Sequence, residues 1–249
     1  MTYTEIILEK KDNTAWIKLN RPDKLNALTP VMLREWKMVL KDLENDPDCR
    51  VIVVTGEGRA FSAGVDLDFF KNDKVEPGNP FHALGMEVMN LLESSTKPNI
   101  AMVNGYCFTG AMELMMAFDL IVAADEARIG DTHTKWGIPP KWGMTQRLQN
   151  VVGVRKAKEL SFTAEAISGK EAERIGLVNK AVPLADLKKT VEEMAGKIIK
   201  NSAQGLAVVK NMYQFGNLHT LKEGIQYELD YDADISDKRD ALQDFKKNI

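Results

Sequence analysis

Glu113 is the residue whose surroundings make its chemistry informative. It follows the small run Thr109-Gly110-Ala111 and sits among Met112, Leu114, Met115, Met116 and Phe118. Small residues at 109–111 let another group come close to the backbone. A helix opening there presents free N–H groups and the positive end of its dipole. Donors of that kind beside one carboxylate in an apolar wall suit two tasks, holding an oxyanion and moving a proton. The window alone leaves a second role open for Glu113, complementing the helix dipole at the surface.

The elements around it follow from periodicity and breakers. Residues 100–103 read as a buried strand, Gly105 as a tight turn, and the helix opens near Thr109-Gly110. Upstream, residues 6–8 and 15–19 predict a hairpin. Thr29-Pro30 predicts a helix start, with Met32, Leu33, Trp36, Leu40 and Leu43 at helical spacing. Residues 51–55 form an apolar, β-branched run that reads as a central strand. Residues 56–67 read as a loop, the polar stretch 71–80 as a mobile loop, and 81–92 as a helix. Downstream come a strand at 120–123, a breaker-rich loop at 129–140, and helices at 145–152 and 155–162. Ser168-x-x-Glu171 predicts a capping box, and 177–182 the last strand. Helices follow at 187–200, 203–215, 218–235 and near 239–246. Strand–helix alternation followed by helices predicts an α/β core with a helical C-terminal region. Such a region often packs on a neighbouring subunit.

Composition narrows the class. The 249 residues carry a net charge of −3, are 44% hydrophobic and 28% charged, and hold no block of five like charges. That argues against nucleic acid or an anionic membrane as the main partner. No stretch reads as a signal peptide or membrane span. The two cysteines, Cys49 and Cys107, lack C-x-x-C spacing, so a reducing, cytoplasmic setting is expected. The three histidines are scattered, and no metal motif or phosphate loop is present.

Three segments together resemble the enoyl-CoA hydratase/isomerase family of the crotonase superfamily: Asn20-Arg21-Pro22 with Asn26-Ala27-Leu28; residues 60–67, A-F-S-A-G-V-D-L; and Val103-Asn104-Gly105 running through Gly110, Glu113-Leu114 and Asp119. Thr145-Gln146-Arg147-Leu148 and Ala172-x-x-x-Gly176-Leu177-Val178 are later landmarks. The resemblance implies a spiral of ββα turns over residues 1–190. Residues 191–249 would form a helical trimerisation region, giving a homotrimer or homohexamer. It also implies acyl-CoA thioester substrates of fatty acid metabolism, handled through an enolate, with coenzyme A entering only as part of the substrate. Carried over by motif, the oxyanion donors are the Val65 and Gly110 N–H groups, each typically worth about 3 kcal/mol. Lys24, Ala63, Asp66 and Leu67 fall where the CoA moiety binds. Asp66 has the competing role of a helix N-cap.

Two departures bear on the reaction. Family hydratases use two glutamates. Glu113 matches the first, and His133 stands where the second is expected. Imidazole exchanges protons near neutral pH, so His133 can protonate the α-carbon. Asp131, two residues earlier, would share its face in an extended segment and orient the ring, or else cap the loop. Lys141-Trp142 replaces a small pair, and Trp136 and Trp142 are expected either to narrow the acyl pocket or to serve as core or subunit-contact residues. The reading is a hydro-lyase adding water to a 2-enoyl-CoA. The alternatives are a C–C hydrolase or decarboxylase of a β-dicarbonyl acyl group through His133–Asp131, and a non-catalytic binding protein of the same fold.

Overall fold

In the computed structural model, which describes residues 3–70, 80–232 and 235–236, the chain opens on the expected hairpin. β1 (Ile6–Lys11) and β2 (Thr14–Leu19) pair antiparallel, Ile6 opposite Leu19 and Lys11 opposite Thr14. A 3-10 turn at Pro22–Lys24 leads to α1 (Pro30–Glu44). Thr29 Oγ1 accepts the Met32 N–H at 3.0 Å, and Pro30 stands where no N–H is needed. Met32, Leu33, Trp36, Val39, Leu40 and Leu43 make the buried stripe of α1. Each aliphatic member contributes roughly 1.5–3 kcal/mol by leaving water.

The centre of the fold repeats one pattern. β3 (Val51–Gly56), β4 (Ala60–Ser62), α2 (Leu67–Phe70) and α3 (Pro80–Ser94) come first. β5 (Asn99–Val103), β6 (Tyr106–Phe108) and α4 (Gly110–Met115) follow, then β7 (Leu120–Ala124), β8 (Arg128–Gly130) and α5 (His133–Trp136). In each pass a longer strand joins one sheet, a three-residue strand joins a second, and a helix returns the chain. β3, β5 and β7 are parallel neighbours, as are β4, β6 and β8. This is the expected ββα spiral. α6 (Met144–Val152), α7 (Val154–Thr163), β9 (Ile167–Ser168), α8 (Gly169–Arg174), β10 (Lys180–Val182), α9 (Leu184–Ile199), α10 (Ala203–Leu218) and α11 (Leu221–Asp230) complete it. The sheets run β1-β2-β3-β5-β7-β10 and β4-β6-β8-β9.

Several expectations change. The segments read as loops at 56–67 and 129–140 contain β4, and β8 with α5; β6 stands between Gly105 and α4. Three residues carry too little periodicity to announce a strand. These strands exist because they pair with one another across the spiral. The last strand begins at Lys180, with Leu177 and Val178 buried ahead of it. Ser168 Oγ caps Glu171 N–H at 3.1 Å, but the Glu171 carboxylate turns to Arg174 at 2.6 Å, so only half of the capping box forms. The helix expected over 218–235 starts at Leu221, where Thr220 and Glu223 make a full capping box, and ends at Asp230. Of the polar stretch 71–80, Pro80 begins α3; the rest of it, and the helix expected near 239–246, lie outside the described residues.

The spiral and the C-terminal helices differ in burial. β3 and β5 are buried throughout, whereas α10 and α11 bury no residue. Val209, Tyr213, Leu218, Leu221, Ile225 and Leu229 are each at least 50% exposed. α10 is tied to the core by Lys210, whose Nζ meets Asp119 Oδ2 and the Leu92 carbonyl at 2.8 Å each. Asp119 also accepts the Asn99 N–H at 2.8 Å. Among the described residues, no helix is long and apolar enough to cross a membrane.

Candidate active site

The site is assembled by two asparagines and a stitched pair of loops. Asn26, fully buried, donates from Nδ2 to the Glu57 and Ala60 carbonyls at 2.9 and 2.8 Å and accepts the Arg21 N–H at 2.8 Å. From the other side Asn104 Nδ2 donates to the Gly56 and Gly58 carbonyls at 3.0 and 2.9 Å. The turn before β4 is thereby fixed, and so is the loop after it. That loop pairs with residues 25–28: Ala63 N–H to Leu25 O at 2.9 Å, Leu28 N–H to Gly64 O at 2.8 Å and Asp66 N–H to Leu28 O at 3.0 Å. In a parallel bridge of this kind the flanked residue turns its own N–H to the opposite side. The flanked residue is Val65.

Gly64 has φ +92°, and a Cβ there would lie 2.1 Å from Thr109 Oγ1. Only glycine fits where this loop meets the start of α4. Thr109 itself holds φ +47°, a costly conformation for a β-branched residue. Gly110 is the first residue of α4, where an N–H has no intrahelical acceptor. No acceptor among the described residues takes the N–H of Val65 or of Gly110. The two donors belong to neighbouring residues, since a Cβ on Gly110 would come within 3.1 Å of Val65 Cγ2.

Beside them is a cavity of about 910 Å³ lined by Lys24, Ala63, Val65, Asp66, Leu67, Glu113, His133, Trp136 and Trp142, among others. Gly110 and Asp131, both buried, stand just behind its wall, Gly110 against Trp142 and Val65, Asp131 against His133. Trp136 is 56% exposed at the rim, while Trp142 is 2% exposed and shapes the interior. Asp66 pairs with Arg21 at 2.9 Å and accepts the Asp68 N–H at 3.0 Å, so its carboxylate is engaged within the protein at the start of α2. Lys24 pairs with Asp68 at 3.5 Å on the surface. Cys107 is buried with its Sγ 3.8 Å from Met115 Sδ, and burial pushes its thiol well above the ordinary value, which leaves it no thiolate to react.

Glu113 is 2% exposed. Its Oε1 accepts two backbone N–H groups, from Trp142 at 2.8 Å and Met144 at 3.0 Å. Its Oε2 faces His133 Nε2 at 3.5 Å, an ion-pair separation. On the far side of the ring, His133 Nδ1 meets Asp131 Oδ1 at 2.6 Å, and Ser161 Oγ donates to Asp131 Oδ2 at 2.6 Å. The expectation of an extended segment fails here, because the chain turns into α5 at His133. Asp131 Oδ1 spans that turn by also accepting the His133 N–H at 3.2 Å. It caps the turn and orients the ring at once.

Charge follows from this geometry. Burial opposes the imidazolium, but hydrogen bonds to Asp131 and Glu113 and their negative charges outweigh it, pushing the His133 pKa up to about 9. Burial likewise opposes the Asp131 carboxylate, yet the bonds from His133 and Ser161 hold its pKa below the ordinary value. At neutral pH the ring is a cation, with Asp131 on its Nδ1 side and Glu113 Oε2 3.5 Å from Nε2. Among the described residues, no group of three or more His, Cys, Asp or Glu is arranged to hold a metal ion.

Sequence reasoning missed Ser161 and the backbone donors of Trp142 and Met144. Ser161 lies thirty residues from its partner, with no motif around it. The donors are main-chain atoms, which residue identity does not advertise. A turn rich in breakers at 137–143 was the only available sign.

Comparison with known proteins agrees with this architecture. Residues 9–247 match the family described as Enoyl-CoA hydratase/isomerase. The chain is 36% identical to a short-chain-enoyl-CoA hydratase of Clostridium acetobutylicum, over 98% of this chain and 95% of that one. It is 37% identical to a crotonyl-CoA hydratase of Syntrophomonas wolfei, covering 100% and 95%. A crystal structure of an enoyl-CoA hydratase from Bacillus anthracis superposes with a TM-score of 0.91 at 31% identity, covering 98% and 97%. With the fold, the paired loops and Glu113 in place, the chain belongs to the enoyl-CoA hydratase/isomerase family.

Proposed function

We propose that this protein catalyses the reversible hydration of a 2-enoyl-CoA, with Glu113 and His133 as its proton-transfer pair. The observation that carries this is the pairing itself. One Glu113 oxygen is occupied by two N–H groups and the other stands 3.5 Å from His133 Nε2, beside the Val65 and Gly110 amides. The thioester oxygen accepts from those two amides. Glu113 Oε2 takes a proton from water as the water oxygen bonds to C3. The C2=C3 electrons move to the thioester as an enolate, and His133 Nε2–H then protonates C2. The hydroxyl thus ends on C3, the proton on C2 has come from His133, and the proton that water lost is held on Glu113. Passing that proton to His133 Nε2 across the gap restores the starting state.

Lys24, Ala63, Leu67 and Trp136 line the cavity and are suited to the CoA portion of the substrate; we assign Asp66 the N-cap role instead. No separate cofactor enters the scheme. The exposed apolar residues of α10 and α11 support assembly as a homotrimer or a pair of trimers, with residues 191–249 as the subunit contact, and light scattering measures that mass directly. Two buried, unpaired thiols fit a reducing cytoplasm.

The short Asp131–His133 bond favours one second reading, C–C hydrolysis or decarboxylation of a β-dicarbonyl acyl group. Incubation with crotonyl-CoA and, separately, with a saturated β-dicarbonyl acyl-CoA separates the two. Hydration consumes the enoyl absorbance of the first and leaves the second intact. Inertness toward enoyl-CoAs of every length, with cleavage of the dicarbonyl, would replace the hydration reading by the other.

A further inference from the structure

We infer that the Trp142 indole sets the length of acyl group the site accepts, closing the pocket immediately beyond the reacting carbons. The inference rests on the acyl-CoA reading above and adds to it a residue that selects substrate.

The ring lies where two helices leave room for it. A Cβ on Gly85 of α3 would be 2.2 Å from both Cε2 and Cζ2 of Trp142, and a Cβ on Gly110 of α4 would be 2.8 Å from Cζ3. The indole therefore rests on bare backbone at both edges, and any side chain at either glycine would expel it. It is also fastened. Nε1 donates to the His82 carbonyl at 3.0 Å, and the ring packs on Phe81 with centroids 5.3 Å apart. Phe81 is 1% exposed, so apolar protein backs the ring.

Its position relative to the chemistry gives the ring its consequence. The Gly110 N–H serves C1 of the substrate, and Gly110 touches the ring. Glu113 serves C3, and its Oε1 is held by the N–H of Trp142 itself. The indole, 2% exposed, thus stands beside the segment from C1 to C3 at the buried side of the cavity. An acyl chain that continues past C4 in that direction meets a wall that cannot swing aside without breaking its hydrogen bond and its packing. Pocket walls of this kind discriminate roughly 10–200-fold per methylene.

The test is kcat/KM along the series crotonyl-, hexenoyl-, octenoyl- and decenoyl-CoA for wild type, Trp142→Ala and Trp142→Phe. The wild type should fall at least about tenfold at each step beyond crotonyl-CoA. The decenoyl-to-crotonyl ratio should rise at least about tenfold in Trp142→Ala and less in Trp142→Phe, which keeps the core filled if the alanine variant fails to fold. A wild type as fast on decenoyl-CoA as on crotonyl-CoA would overturn the inference, as would variants that lose every substrate in parallel. Calorimetric binding of saturated butyryl- and decanoyl-CoA reads the wall without turnover. If the wild type hydrates no enoyl-CoA yet prefers butyryl-CoA, and Trp142→Phe narrows the preference, the hydration reading fails and Trp142 still gauges length. Equal binding of the two thioesters by the wild type would overturn Trp142's role whatever the reaction.

Discussion

Glu113 and His133 face each other across 3.5 Å, yet they are held by different means. Glu113 is gripped by main-chain N–H groups of the loop entering α6. No substitution there other than by proline removes those donors, so its placement depends on the fold. His133 is gripped by side chains, Asp131 and behind it Ser161, so its placement and its charge can be adjusted one residue at a time. The first arm is rigid and indifferent to local sequence. The second is tunable, and a histidine there is useful because its neighbours decide its charge. A carboxylic acid in that place must be protonated to act as an acid; an imidazole with a pKa of about 9 is already charged at neutral pH.

The sharpest break in this comparison is Glu113→Gln. It keeps an oxygen for the two N–H donors but has no basic one for water, and should lower kcat for crotonyl-CoA hydration by about 10³-fold with unchanged circular dichroism. His133→Ala should cost about 10²-fold at neutral pH, measured in the same assay. Asp131→Asn leaves His133 in place and removes one of the charges that raise its pKa. Turnover at pH 8 should then fall about tenfold while turnover near pH 6 changes little, because the imidazolium is lost between its lowered pKa and about 9. Ser161→Ala acts one bond further out, through the placing of the Asp131 carboxylate, and should cost no more than about twofold at pH 8, with the basic limb not moved down. A loss in Ser161→Ala equal to that in Asp131→Asn would mean that packing, not charge, sets the second arm.

The smallest effect is on folding. His133 binds its proton more tightly in the folded chain than in the unfolded one. Its contribution to stability is therefore complete below about pH 6.5 and is lost as pH rises through about 9. Thermal midpoints of wild type and His133→Gln should converge between those limits.

The sequence announced this site unevenly, for physical reasons. Thr29-Pro30, the β-branched run of β3 and the small residues before Glu113 were legible because caps, strand burial and close approach each demand particular residue types. The roles of Asn26 and Asn104 were legible only as motif positions; their tethering of the turn before β4 depends on carbonyls that the fold brings to them from more than thirty residues away. β4, β6 and β8 were not legible, since pairing partners one turn of the spiral away define them. The assignment of His133 came from family position, while the ion pair that raises its pKa depends on Asp131 bridging a turn that residue spacing had suggested was extended. Ser161 carried no signal at all.

A charged His133 that supplies the proton to C2 leaves its mark on the pH dependence of kcat/KM for crotonyl-CoA hydration. Hydration neither releases nor consumes a net proton, so the reverse reaction must show the same profile. kcat/KM should hold a plateau through neutral pH and fall on the basic side with an apparent pKa near 9, a limb moved down in Asp131→Asn and absent from the residual rate of His133→Ala. A wild-type profile flat through that range, or one whose basic limb survives unchanged in His133→Ala, would contradict it.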